Sequence, residues 1–214
     1  MPPPEQPDLA FDIETTGLKY EKEKVTVAAT YCGHGPGTVT RFVELKHGKV
    51  VYQEGYKAKG VVFCKQLTAA KRLYGYNAKR FDIPFLAHHF NVSREITKAW
   101  TDKTVDVFDL CKTVHNRTFS LPLLLELNPA VQGKKTGTGL EAIALAGRGE
   151  WTTLEDYCLA DAKLTYQVSN LETINCPETY DWRKAHAGAI HDPRHVLQLH
   201  ASAFPEVTWG YKSL

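Results

Sequence analysis

The chain has 214 residues, with 26 Lys and Arg against 24 Asp and Glu, and 43% of its residues are hydrophobic. That composition excludes wholesale disorder and suits one domain, or one domain with a tail. A formal net charge of +2 and a pI near 8.2 exclude a bulk-cationic binder, so any nucleic acid must be held in a local groove.

Residues 1–8 are Pro-rich and polar and read as a disordered lead. Leu9–Glu14 alternates apolar and charged residues, which predicts a strand. Val25–Cys32 is β-branched and apolar, a second strand, and Gly33–Gly37 is a strong turn signal. Thr38–Leu45 reads as a third strand, completing an antiparallel meander. Val50–Gly60 carries no clear pattern. Phe63–Leu73 reads as a helix leading into a short strand, Leu73–Tyr76. Asp82–Phe90 reads as a helix that tolerates Pro84 only in its first turn, and Val105–Leu110 as a further strand. Thr138–Glu141 and Thr152–Glu155 both have capping-box spacing, and the Gly147–Gly149 break separates them. The second box is expected to open a helix reaching about Thr173.

Past Cys176 and Pro177 the sequence turns irregular and rich in His and Trp. Residues 9–176 are therefore expected to form the domain, with 177–214 a C-terminal extension packed on it. His191 and His195 have i,i+4 spacing, but no Glu follows His191 and no cysteine pair accompanies them, so zinc is not expected. The five cysteines, Cys32, Cys64, Cys111, Cys158 and Cys176, show no Cys-x-x-Cys pair. A reducing, intracellular compartment follows, cytoplasmic or nuclear. Neither a signal peptide nor an apolar run of the ~20 residues needed to span a bilayer is present, so secretion and a membrane partner are not expected.

Three segments place carboxylates where burial is expected. Asp12 and Glu14 sit two apart on the first strand, and period-two geometry puts both on one face. Adjacent like charges are destabilising unless a cation lies between them, and hard oxygen donors suit Mg²⁺ or Mn²⁺. Asp82 opens a predicted helix, where an acid also serves as a cap. Tyr157 and Asp161 share a helix face at i,i+4. Each feature alone also fits an ordinary solvated or capping role.

Together, Phe11-Asp12-Ile13-Glu14-Thr15-Thr16-Gly17-Leu18, Asn77-Ala78-Lys79-Arg80-Phe81-Asp82 and Tyr157-Cys158-Leu159-Ala160-Asp161 resemble the motifs of the DEDD 3′–5′ exonucleases. That family has the RNase H-like (DnaQ-like) fold, and the resemblance is to its tyrosine, or DEDDy, branch. It implies an α/β fold with a central mixed sheet flanked by helices. It further implies that Asp12, Glu14, Asp82 and Asp161 hold two divalent cations, Mg²⁺ or Mn²⁺, and that Tyr157 orients the attacking water. Thr16, Leu18, Asn77 and Phe81 would contact the terminal nucleotide and the strand path. The implied partner is nucleic acid with a free 3′ end, single-stranded DNA slightly favoured over RNA, with a separate polymerase or helicase as a further possible partner. Two alternatives stay open: a non-catalytic nucleic-acid or protein-binding module of the same fold, and an oligoribonucleotide-trimming exoribonuclease. The loop Gly133–Gly139 has glycines and lysines that could approach phosphates, or it is simply solvated.

Overall fold

The computed structural model describes residues 6–177 and 196–200. Its centre is a five-stranded mixed sheet in the order β3-β2-β1-β6-β7. β1 (Asp8–Thr15), β2 (Val25–Tyr31) and β3 (Thr38–Arg41) form the expected antiparallel meander. β6 (Arg72–Gly75) adds in parallel to β1, and β7 (Thr104–Asp106) in parallel to β6. β1 thus lies at the middle of the sheet, the strand with the most neighbours on either side. It opens at Asp8, one residue inside the predicted lead.

Alternation along β1 divides the core. Leu9, Phe11 and Ile13 pack with residues of α1 (Tyr56–Ala69), α2 (Asp82–Phe90) and α3 (Arg94–Lys103). The opposite face of the sheet carries Val27 and Ala29 against α6 (Gly139–Arg148) and α7 (Trp151–Ser169). Helices therefore cover both faces, the arrangement expected of an α/β domain.

Several elements differ from the sequence expectations. The third strand breaks at Phe42, which is fully buried: its N–H donates to Thr26 and its carbonyl accepts from Gln53. Beyond it, β4 (Val43–Lys46) leaves the main sheet and pairs with β5 (Lys49–Tyr52) across a two-residue turn. That turn needs positive φ at both positions, supplied by His47 at 50° and Gly48 at 72°. α1 starts at Tyr56, seven residues before the predicted Phe63. Gly60, Phe63, Cys64 and Leu67 form its buried stripe, so tertiary packing overrides the weak helix preference of Gly60-Val61-Val62. The strand expected over Val105–Leu110 ends at Asp106, whose carboxylate accepts from the Phe108 N–H and starts α4 (Val107–His115). α3 and α5 (Leu121–Leu127) had no clear sequence signal.

Of the two capping boxes, Thr138 forms one: its hydroxyl accepts from Glu141 N–H at 3.3 Å while its own N–H donates to the Glu141 carboxylate at 2.6 Å. Thr152 does not, because α7 already begins at Trp151. Glu155 instead pairs with Arg41 at 3.5 Å, and the Arg41 guanidinium lies over the Trp151 ring. α7 ends at Ser169, and Thr173 belongs to β8 (Thr173–Pro177), which pairs with β9 (Val196–His200). Trp182, His186, His191, His195 and Trp209 lie outside the described residues.

Close helix packing yields a direct test. A Cβ on Gly60 would stand 2.0 Å from Cδ1 of the buried Phe90 ring, joining α1 to α2. Overpacking of this kind costs about 1–3 kcal/mol, against about 1 kcal/mol that alanine returns in helix preference. Gly60→Ala is therefore expected to lower the urea midpoint, although the same substitution in an open helix would raise it.

Candidate active site

Asp12 and Glu14 stand on β1 opposite Ala29 and Val27 of β2, the two residues that pack against α7. Both carboxylates therefore face α7, as the strand period requires. The Cys158 thiol on α7 donates to the Asp12 carbonyl oxygen across this gap at 3.4 Å. One side-chain donor atom each from Asp12, Glu14 and Cys158 lies within 4.8 Å of the others.

Asp82 arrives from the turn between β6 and α2. Gly75 permits that turn, because a Cβ there would meet the Ala78 Cβ at 2.3 Å. Asn77 takes a left-handed conformation at φ 63°. Asp106 pins the turn from below, accepting from the N–H groups of Asn77 at 2.8 Å and Lys79 at 3.0 Å. α2 then opens at Asp82, whose Oδ1 accepts from the Ile13 N–H on β1 at 3.0 Å. The carboxylate is thus fastened to the backbone between Asp12 and Glu14.

Tyr157 and Asp161 lie one helical turn apart on the buried face of α7. The Asp161 carboxylate is held by the Lys135 ammonium, from the loop ahead of α6. The same ammonium sits over the Tyr157 ring, 4.5 Å from its centroid. Three buried polar atoms here have no hydrogen-bond partner among the described residues: Asp12 Oδ2, Asp161 Oδ1 and the Tyr157 hydroxyl.

The electrostatics follow from this crowding. Burial and the Asp161 charge push the Asp12 carboxyl up to about 7, with Lys135 pulling the other way. Asp12 is only half-buried as a residue, yet its Oδ2 is shut off from solvent. Burial, with Asp12 and Asp161 adding, holds Glu14 well above the ordinary carboxylate range. Asp82 is raised by burial and by the charges of Asp12 and Asp106. Asp161 is raised by burial, though Lys135 opposes this. Burial also raises Tyr157, which stays a neutral phenol. It raises Cys158 too, with Asp12 and Glu14 adding, so that side chain remains a thiol.

The structure therefore brings Asp12, Glu14, Asp82, Tyr157 and Asp161 around one centre. Such a set fits hard divalent cations. The donors are carboxylate oxygens, two of them are buried without partners, and their mutual repulsion calls for positive charge. The thiol of Cys158 is a soft donor and suits the role of packing wall better.

The four expected nucleotide contacts are arranged differently from one another. Thr16 closes the β1–β2 loop, its hydroxyl donating to Glu23 at 2.8 Å and accepting from the Lys24 N–H at 2.9 Å. Leu18 is 75% exposed, so it is not a core residue. Asn77 shapes the turn before Asp82, and Phe81 rests half-buried against Phe85 with ring centroids 4.7 Å apart. His89 accepts or donates a bond to the Tyr52 hydroxyl at 2.9 Å, a packing role on α2.

Lys135 is the residue that sequence reasoning did not assign to the carboxylates. Its signal was present only as a lysine in a glycine-rich loop just upstream of a capping box. A cleft of about 500 Å³ beside Tyr157 is lined by Thr136, Gly137, Glu141 and Arg148. Another, of about 400 Å³, lies on the far side of the loop, lined by Lys134, Lys135, Glu126 and Val131.

Solved structures similar to the chain include the family B DNA polymerase from the hyperthermophilic archaeon Pyrobaculum calidifontis, at 17% identity over 78% of this chain with a TM-score of 0.56. Exonuclease I without ligand matches at 17% identity over 75% of the chain, with a TM-score of 0.43. E. coli Exonuclease I in complex with a dA16 oligonucleotide matches at 16% identity over 77%, with a TM-score of 0.45. The chain covers 24% of the polymerase and 40% of each exonuclease chain. No curated protein matches the sequence. The model of the RNase H superfamily matches residues 9–170, from the second residue of β1 to the residue after α7, the span that carries every carboxylate of the cluster. That match covers more than half of the sequence, and the chain belongs to the RNase H superfamily.

Proposed function

We propose that this protein is a metal-dependent 3′–5′ exonuclease of the DEDDy branch, releasing nucleoside 5′-monophosphates from nucleic acid, with single-stranded DNA slightly favoured over RNA. The observation that carries this reading is the set of partnerless buried oxygens on Asp12, Asp161 and Tyr157, converging beside Glu14 and Asp82. Asp12, Glu14, Asp82 and Asp161 would hold two Mg²⁺ or Mn²⁺ ions. Such ions supply electrostatic stabilisation of the attacking and leaving oxygens in an in-line displacement at phosphorus.

The chain's own residues do the rest. In the proposed reaction a water oxygen bonds to the terminal phosphorus and gives up a proton to solvent, and the bond from that phosphorus to the penultimate 3′-oxygen breaks, that oxygen taking a proton from solvent to leave as a hydroxyl. The Tyr157 hydroxyl, neutral and set beside the Lys135 ammonium and the Asp161 carboxylate, would orient the water through a hydrogen bond. A phenol in that state is no base at neutral pH, so positioning is its contribution. The Ile13 N–H keeps the Asp82 carboxylate fixed as charge builds. Exposed Leu18 and the Phe81 ring flank the path expected for the terminal base, with Thr16 and Asn77 shaping the two loops beside it.

End-labelled strands test this. A 5′-labelled single strand should shorten as a ladder with Mg²⁺ or Mn²⁺ and stay intact with EDTA, and a 3′-phosphate should slow the reaction. Closed circular single strands should survive. Cutting of a circle, or full activity in EDTA, removes the reading. Parallel RNA and duplex DNA substrates establish which nucleic acid is preferred.

A further inference from the structure

We propose that Cys111 and Cys176 are a modification site, a dithiol that closes in the folded protein to one disulfide by exchange with a small-molecule disulfide and so ties β8 to α4. The site uses no residue of the carboxylate cluster and does not rest on the nuclease reading.

The two sulfurs stand 4.0 Å apart, although the residues are 65 positions apart in sequence. Both side chains are fully buried in one apolar cluster with Phe119, Leu124 and Leu164. Each is aimed by its own element. Cys111 shares the buried face of α4 with Val107 at i,i+4. Cys176 shares the buried face of β8 with Ile174. Asn175, on the other face, clamps the strand in place. Its N–H donates to Asn128 Oδ1 at 2.8 Å, and its carbonyl accepts from Asn128 Nδ2 at 2.9 Å. Its side-chain amide donates to the Leu127 carbonyl at 3.1 Å. This clamp fixes the register in which Cys176 meets Cys111. Closing from 4.0 Å to the ~2.0 Å of a disulfide asks each sulfur to move by about 1 Å.

Access comes through β8. Among the described residues this strand pairs with β9 alone, and Pro177 at its end has no N–H to give to that ladder. Local opening of such a strand costs less than global unfolding. It carries Cys176 outward and leaves Cys111 in its helix, so Cys176 attacks first. The Cys176 thiolate bonds to one sulfur of the small disulfide, whose sulfur–sulfur bond breaks, and one small thiol leaves with the proton that Cys176 released. The bond with Cys176, and after it burial, raise the Cys111 thiol above its ordinary range, and the mixed disulfide removes the first of these causes. As β8 recloses, the Cys111 thiolate attacks the Cys176 sulfur, and the second small thiol leaves with the Cys111 proton. Two cysteine thiols lose two electrons in all, and one small disulfide gains them.

Glutathione disulfide is the probe. The folded full chain is incubated with it, blocked with N-ethylmaleimide in urea, and mapped by mass spectrometry without reduction. The expected product is a peptide pair joining Cys111 to Cys176, with Cys64 and Cys158 carrying the alkyl label. Closing so long a loop restrains the unfolded chain, so the linked form should melt at least about 5 °C above the reduced form. Dithiothreitol should undo both changes. Cys32→Ala should link as the parent does, whereas Cys176→Ala should melt at one temperature with and without oxidant. The peptide map of the parent needs no variant at all. Glutathione adducts on Cys111 or Cys176 that never resolve, a link from either to Cys32, no link in the folded protein, or a link that forms only in urea overturns the pairing. A linked form that melts no higher than the reduced one overturns closure within the native fold.

Discussion

Tyr157→Phe is expected to lower the hydrolysis rate by about 10²–10⁴-fold while leaving Mn²⁺ affinity nearly unchanged. The substitution removes one oxygen. That oxygen makes no hydrogen bond of ordinary geometry among the described residues, although the Lys135 ammonium and the Asp161 carboxylate lie close to it, so little internal bonding is lost with it. The ring remains, and with it the contact to the Lys135 ammonium and the packing against Ala142 and Leu154. Stability should therefore stay level or rise slightly, since a buried unsatisfied hydroxyl is costly. A loss confined to the rate would identify the hydroxyl as a group used only in the reaction. Single-turnover rates measured beside a Mn²⁺ titration separate the two quantities. An unchanged rate would take Tyr157 out of the mechanism. Tyr157→His should retain part of the activity, because an imidazole can also donate to water from this helix position.

Much of this site could be read before any fold was known, because its spacing follows element periods. Asp12 and Glu14 share a face on a strand, Tyr157 and Asp161 share one on a helix, and Asp82 opens α2 at the predicted residue. Each inference needs only local geometry. What escaped was decided by distant contacts. The break at Phe42 comes from bonds to Thr26 and Gln53, and the early start of α1 from the fit of Gly60 against Phe90. Asp106 holds three N–H groups from two separate turns, contacts that no local pattern announces. Lys135 is the clearest instance. It lies 26 residues from Asp161 in sequence, in a segment without periodicity, and nothing local aims it at a carboxylate. Thr152 shows the converse error, a capping-box spacing that forms no box because α7 already begins at Trp151 and Thr152 lies within it.

Asp12→Asn should abolish hydrolysis and yet stabilise the fold in EDTA by about 2–4 kcal/mol at pH 7.5. Asp12 is raised from an ordinary value of 3.8 to about 7 by burial and by Asp161. The sign follows from proton uptake. Between these two values the folded protein binds a proton that the unfolded chain has released, so stability is greatest at low pH and falls as pH rises. Above about 7 the full penalty of ionising a buried, repelled carboxylate is present. Asparagine keeps the shape and cannot ionise, so the variant avoids this penalty. Its advantage should therefore be largest above pH 7, shrink through pH 5, and vanish as pH approaches ~4, where the unfolded aspartate itself protonates. Glu14 and Asp82, also raised by Asp12, should ionise more readily in the variant, which adds to its stability at neutral pH. Divalent cations reverse the ranking. A ligand that binds only the native state stabilises it, and the parent offers the complete carboxylate set, so millimolar Mn²⁺ should raise the parent's melting temperature by more than the variant's. Melting curves of both proteins, at pH 7.5 and pH 5, with EDTA and with Mn²⁺, measure every term. A variant less stable than the parent in EDTA at pH 7.5 would mean that Lys135 already neutralises the cluster. Asp12 would then be a satisfied structural acid, and the repulsion that makes room for a cation would not exist.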